Sequence, residues 1–126
     1  MKTLTTVLVL AALAAGAQAQ AGCDYPKAPD SVPNGSTASK EEMLAAARAF
    51  RDYNTQIKGY TDCLKGEHDA QISKIDPKLP ADQQAARKAE IDKILAQKND
   101  AAVDEATSAT ERFNAQIHAY NDKHKS

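Results

Sequence analysis

The chain has 126 residues, with 16 Lys+Arg against 17 Asp+Glu and a formal net charge of −1. That balance gives no electrostatic reason to expect nucleic acid or an anionic membrane surface as a partner. With no tryptophan, four tyrosines and two phenylalanines, one modest domain has little bulk for a globular core.

The opening segment reads as an export signal. Lys2 is the positive start, "LTTVLVLAALAA" is a short apolar run, and "AQA" at Ala17 to Ala19 supplies the small residues that a signal peptidase reads. Residues 1–19 are therefore assigned as a signal peptide, with cleavage after Ala19; "AQA" recurs at Ala19 to Ala21, which offers a second cut. The apolar run is too short for a membrane span, and nothing later is apolar enough, so no integral span is expected. The destination is the periplasm or the exterior. The alternative takes "AGC" at Ala21 to Cys23 as a lipoprotein signal, with Cys23 lipidated at the outer membrane. Gln20 argues against it, because an apolar residue is usual three positions before such a cysteine.

Residues 20–38 carry loop chemistry. Pro26, Pro29 and Pro33 fix φ and remove backbone donors, so this strap is expected to be extended or polyproline-like. "PNG" at Pro33 to Gly35 signals a turn. Ser39 with Glu42 three residues on matches a capping box, and Thr37 is the other available cap.

The first helix is expected over about 39–76. Met43, Phe50, Ile57 and Leu64 fall seven apart, flanked by Ala46, Tyr53 and Tyr60, which makes one apolar stripe. Arg48, Arg51, Asp52, Lys58 and Asp62 fall largely elsewhere. Beyond Leu64 the stripe thins to Ile72 and Ile75. Gly66 offers a place to bend, and a continuous helix to about Ile75 is the favoured reading.

Pro77 and Pro80 in "DPKLPAD" cannot both sit inside a helix. A second helix is expected from about Ala81 to Asp122, since proline suits a helix start. Its stripe reads Ile91, Leu95, Lys98, Ala102, Ala106, Ala109, Phe113, Ile117 and Tyr120. Two long helices and a short turn give an all-α fold. It is an antiparallel, coiled-coil-like two-helix hairpin over 39–126. Folding about Lys78 sets Met43 near Phe113 and Phe50 near Thr107 or Ala106. Large residues of the first helix then meet alanines of the second.

Cys23 and Cys63 are the only cysteines, and an exported chain meets an oxidising compartment. Cys63 lies about 36 Å along the first helix. An extended strap from Cys23 to Ala38 spans about 50 Å, so it can fold back and reach Cys63. A disulfide is the structural reading; a redox or metal role is the other, without a CxxC pair or a ligand cluster to favour it.

Four stretches carry a resemblance. "C-x2-P-x2-P-x3-P-x-G" from Cys23 to Gly35, "EEMLAA" at Glu41 to Ala46, "Y-x2-C-L" at Tyr60 to Leu64 and "ERFNAQI-x2-Y" at Glu111 to Tyr120 stand in order along the chain. In these the chain resembles a group of small exported proteobacterial proteins, themselves uncharacterised. They are pictured as helical hairpins with a cysteine-linked N-terminal strap. The resemblance spans nearly all of the chain after the signal; it implies a fold and a compartment, and no activity.

Chemistry-bearing residues do not converge in the sequence. Glu67, His68 and Asp69 are adjacent and point about 100° apart on a helix, and His118 and His124 are not at metal-pair spacing. All three histidines are read as solvated, and no metal or cofactor is expected. Ser31, Ser36, Ser39, Ser73 and Ser108 have no evident base beside them. No haem, zinc-protease, phosphate-loop or hydrolase motif occurs. "LPADQ" at Leu79 to Gln83 looks like the LTxxQ motif of small periplasmic stress chaperones, with Pro80 in place of threonine and a single copy. The expectation is a non-enzymatic exported protein of the cell envelope. It binds an envelope protein or itself, with Tyr53, Tyr60, Phe113 and Tyr120 as anchors; a chaperone of the LTxxQ type is the alternative. The alanine stripe is read first as the inside of the hairpin and second as a partner groove.

Overall fold

The computed structural model describes residues 22–125. Two α-helices, α1 (Lys40–Ile72) and α2 (Ala81–Lys123), pack against each other as an antiparallel hairpin, with no strand among the described residues. The segment before them is extended, and the Cys23–Cys63 disulfide joins it to α1. The expected signal peptide and its cleavage site lie outside the described residues.

The start of α1 is the capping box read from the sequence. Ser39 Oγ accepts from the Glu42 backbone at 3.2 Å, and Glu42 accepts the Ser39 N–H at 2.7 Å. The Ser39 backbone N–H first, and the Ser39 hydroxyl second, hold the Glu42 carboxyl below its ordinary range. Thr37 is not the cap; its hydroxyl turns back to the Asn34 carbonyl. Gly66 does not break the helix, and α1 runs through it. The helix does end earlier than the expected Ile75, at Ile72. Pro77 has no N–H to continue the ladder and disfavours α geometry at Asp76. The chain tightens over Ser73, Lys74 and Ile75 by short-range bonds instead, and Asp76 Oδ1 accepts the Lys78 N–H at 2.8 Å.

The core is the size-complementary pairing expected, in a shifted register. Met43, Phe50, Tyr53, Ile57, Tyr60 and Leu64 of α1 are buried with Ala102, Ala106, Ala109 and Phe113 of α2. Phe113 faces Phe50, not Met43; the rings stack with centroids 4.7 Å apart. The expected pairing is thus one heptad out. The reason lies in the turn: about ten more residues of α2 than of α1 lie on the turn side of that ring pair, about 15 Å of helix. The connector, residues 73–80, continues past the end of α1 beside the first turns of α2. The Gln84 amide holds it there, donating to the Pro77 and Leu79 carbonyls at 3.2 and 2.7 Å.

The strap lies over the two helices, antiparallel to α1. Cys23, Ala28, Val32 and Ala38 pack on the core, and Pro26 and Gly35 are buried. Gly35 passes so close to α2 that a Cβ there would overlap the Gln116 carbonyl and crowd the Tyr120 nitrogen. Its N–H donates to Gln116 Oε1 at 2.9 Å. A Cβ at Gly66 would meet open space. Gly66→Ala is therefore expected to stabilise the protein by about 0.5–1 kcal/mol, because glycine costs that much in a helix interior. Gly35→Ala is expected to destabilise it, since the strap must lift. Urea unfolding of both variants followed by circular dichroism checks the opposite signs.

Candidate functional site

Two surfaces emerge from the packing: a groove between the helices that the strap fills, and a bare end beyond Cys63. The strap's far end is held at three points. Cys23 is bonded to Cys63, with Cα atoms 5.8 Å apart. The Cys23 N–H donates to Glu67 at 2.9 Å. Tyr25 sets its ring edge-on to Tyr60, centroids 5.1 Å apart, and its hydroxyl donates to Glu105 of α2 at 2.7 Å. That hydrogen bond, with lesser help from burial, pushes the Tyr25 phenol up to about 12. At the other end Lys123 donates to the Ser36 carbonyl.

The four aromatic anchors expected at a contact surface do not stay together on the outside. Tyr53, Tyr60 and Phe113 are buried, and this corrects their placement on an open stripe. The physical reasons differ: the strap covers the face that holds Tyr60, where Tyr25 packs, and Phe113 is buried in the seam against Phe50. Tyr120 is half-buried and stacks on His124, centroids 4.2 Å apart. Among the described residues, the Tyr53 hydroxyl is the one buried side-chain polar atom without a hydrogen-bond partner. Burial, then the nearby Glu105 charge, raises the Tyr53 pKa.

The bare end contains the second correction. His68 is not a solvated histidine; its side chain is 18% exposed and bridges the helices. One ring nitrogen lies 2.6 Å from Asp92 of α2, and the other 3.1 Å from Asp69, which reaches round from the next position. Lys88 pairs with the far oxygen of Asp92 at 2.7 Å, and Lys98 faces Glu67 at 3.8 Å. Asp92 first and Asp69 second raise the His68 pKa. His68 first and Lys88 second lower that of Asp92. The two carboxylates sit on opposite ring nitrogens, so they do not converge on a common point, and no metal-holding group occurs among the described residues. His118 is exposed.

Past this pair the connector and α2 leave an open groove of about 750 Å³, lined in part by Ile75, Leu79, Ala86 and Ile91. Leu79 of "LPADQ" is a wall of that groove, Pro80 caps α2, and Gln83 is exposed. Leu79 and Pro80 of that stretch thus belong to the turn and the helix start, and Gln83 to the exposed first turn of α2. Sequence reasoning did not single out Tyr25, Gly35 as a contact point, or the His68–Asp92 pair. Tyr25 beside Cys23 was the available signal, because a disulfide carries its neighbours onto the groove. The other two depend on the register. Comparison with protein-family models, curated proteins and solved structures found no match to this chain.

Two outcomes follow from these contacts. The disulfide closes a separation of 40 residues, for which the chain-entropy model gives about 4 kcal/mol. Reduction is expected to lower the melting temperature while far-UV circular dichroism stays helical below it. The second concerns pH. A raised His68 pKa stabilises the fold below the ordinary histidine value and loses that contribution as pH climbs through the raised one. A lowered Asp92 pKa contributes above the ordinary carboxylate value and is lost as pH falls through the lowered one. The melting temperature is thus expected to be higher at about pH 5.5 than at about pH 8.5, and His68→Gln should shrink that difference.

Proposed function

We propose that the mature chain is a non-enzymatic helical protein of the cell envelope that works by binding another protein. The observation that carries this reading is the bare end. There the strap has stopped, an apolar groove stands open, and Ile94 on the next turn of α2 is 38% exposed. Contiguous apolar surface is a mark of interaction sites, and Ile75, Leu79 and Ile91 are each partly exposed there. Leu44 and Val103 add exposed apolar surface elsewhere on the helices. Tyr120 remains a reachable anchor, whereas Tyr53 and Tyr60 come into play only where the strap is displaced, and Phe113 is taken up by its stack on Phe50. The partner is an envelope protein or a second copy of this chain.

Export rests on the apolar leader read in the sequence and is supported by the paired cysteines. The Cys23 sulfur that a lipid would occupy is the one bonded to Cys63, which favours a soluble exported chain over a lipoprotein.

The test uses the oxidised mature protein. Sedimentation and photo-crosslinking from position 91 in the native envelope are expected to reveal self-association or a discrete partner. Leu79→Asp and Ile91→Asp should weaken that association by about tenfold or more, with helicity unchanged. A protein that stays monomeric at high concentration and crosslinks to nothing refutes the reading. Substoichiometric protection of unrelated unfolded proteins would favour the chaperone alternative.

A further inference from the structure

We propose that the strap is a removable internal occupant. Reduction of Cys23–Cys63 opens the groove between α1 and α2 to an extended, proline-containing segment of a partner polypeptide. This deepens the protein-binding reading by naming a second surface, its class of ligand and its control.

Four observations carry it. The groove demonstrably takes such a segment, because the strap, with Pro26, Pro29 and Pro33, already lies in it. Cys23, Ala28, Val32 and Ala38 of the strap pack on the aromatic and alanine core of the two helices, and Tyr25 meets Tyr60 edge-on. That is the surface on which extended proline-rich segments dock. The strap's polar attachments to the helices sit at its two ends, at Cys23 and Tyr25 and at Gly35 and Ser36. The stretch between them is held by apolar packing alone, which another extended chain reproduces. The groove also contains a group that the strap leaves unserved: the Tyr53 hydroxyl is buried, the residue 2% exposed, and has no acceptor. A partner that places a carbonyl or carboxylate oxygen there completes a hydrogen bond that the strap does not make.

The control lies in the pin. Cys63 is an exposed residue on α1, so a thiolate can reach it. One thiolate of a dithiol reductant attacks the Cys63 sulfur; the Cys23–Cys63 bond breaks, and Cys23 leaves as thiolate. The second thiol of the reductant then displaces Cys63. Two electrons pass to the protein cysteines, both end as thiols after protonation, and the reductant ends as its own disulfide. Without the pin, the far end of the strap keeps only the Glu67 and Glu105 hydrogen bonds and its apolar contacts.

The probe is a labelled peptide of residues 22–35 carrying Cys23→Ser, and the protein is the full mature chain in three forms: oxidised, reduced, and with Cys23→Ser and Cys63→Ser. The reduced and double-serine forms are expected to bind the peptide with an apparent Kd about tenfold or more lower than the oxidised form. The gain arises because affinity scales with the fraction of open groove. Adding Gly35→Ala to the double-serine protein lifts the internal strap and should tighten peptide binding further, where a merely damaged fold would weaken it. Ile91→Asp, which tests the bare end, should leave peptide binding unchanged, so the two surfaces fail separately. Equal binding by oxidised and reduced protein, binding by no form, or loss of helix on reduction at low temperature overturns the proposal.

Discussion

A pair of helices has two faces, and packing them together buries only the seam between them. In this protein an extended segment closes one face, and a single covalent bond, Cys23 to Cys63, fixes where it lies. The burial of Tyr53 and Tyr60 depends on that cover, because they stand on the flank of the α1 stripe and not on its Phe50–Leu64 line. The alanines of α2 serve the same arrangement. Small side chains at Ala102, Ala106 and Ala109 let α1's larger residues and the strap come close at once.

What could be read in advance follows from range along the chain. The helical stripes, the Ser39–Glu42 cap, the proline turn and the extended strap are local signals, and each appears where its chemistry puts it. The cysteine pair is long-range, yet with two cysteines there is one way to join them. The register was not legible. It is set by how far the connector travels before α2 begins, and residues 73–80 travel past the end of α1 instead of reversing beside Lys78. That one heptad hid the Phe50–Phe113 stack and the meeting of His68 with Asp92. The strap's lateral course was equally out of reach. A period of 3.6 says which helical face is apolar, and it does not say what will cover it. Tyr53 and Tyr60 therefore stand buried on a face that the strap covers, and Phe113 in the seam against Phe50.

The two ends of the molecule now differ in kind. Where the strap lies, the section is three segments thick, and the closest approach is Gly35 against the α2 backbone. Beyond Leu64 the helices rely on half-buried Leu95, the His68 bridge and flanking ion pairs. Exposed ion pairs contribute little each, so this end has the weaker hold and the freer surface. Binding by a partner there would add apolar contact where the fold itself has least.

A chain emerges N-terminus first, and the order of its parts matters here. Cys23 and Cys63 are both out before any residue of α2 has appeared. The bond can therefore close while the second wall of the groove does not yet exist. The strap is then laid along α1 alone, and α2 arrives to find both partners already in place. Glu105, Gln116 and Lys123, which grip Tyr25, Gly35 and Ser36, come later still. On that schedule the extended segment is a mould: it sets the rotational position of α1's tyrosines before the alanine face of α2 closes on them.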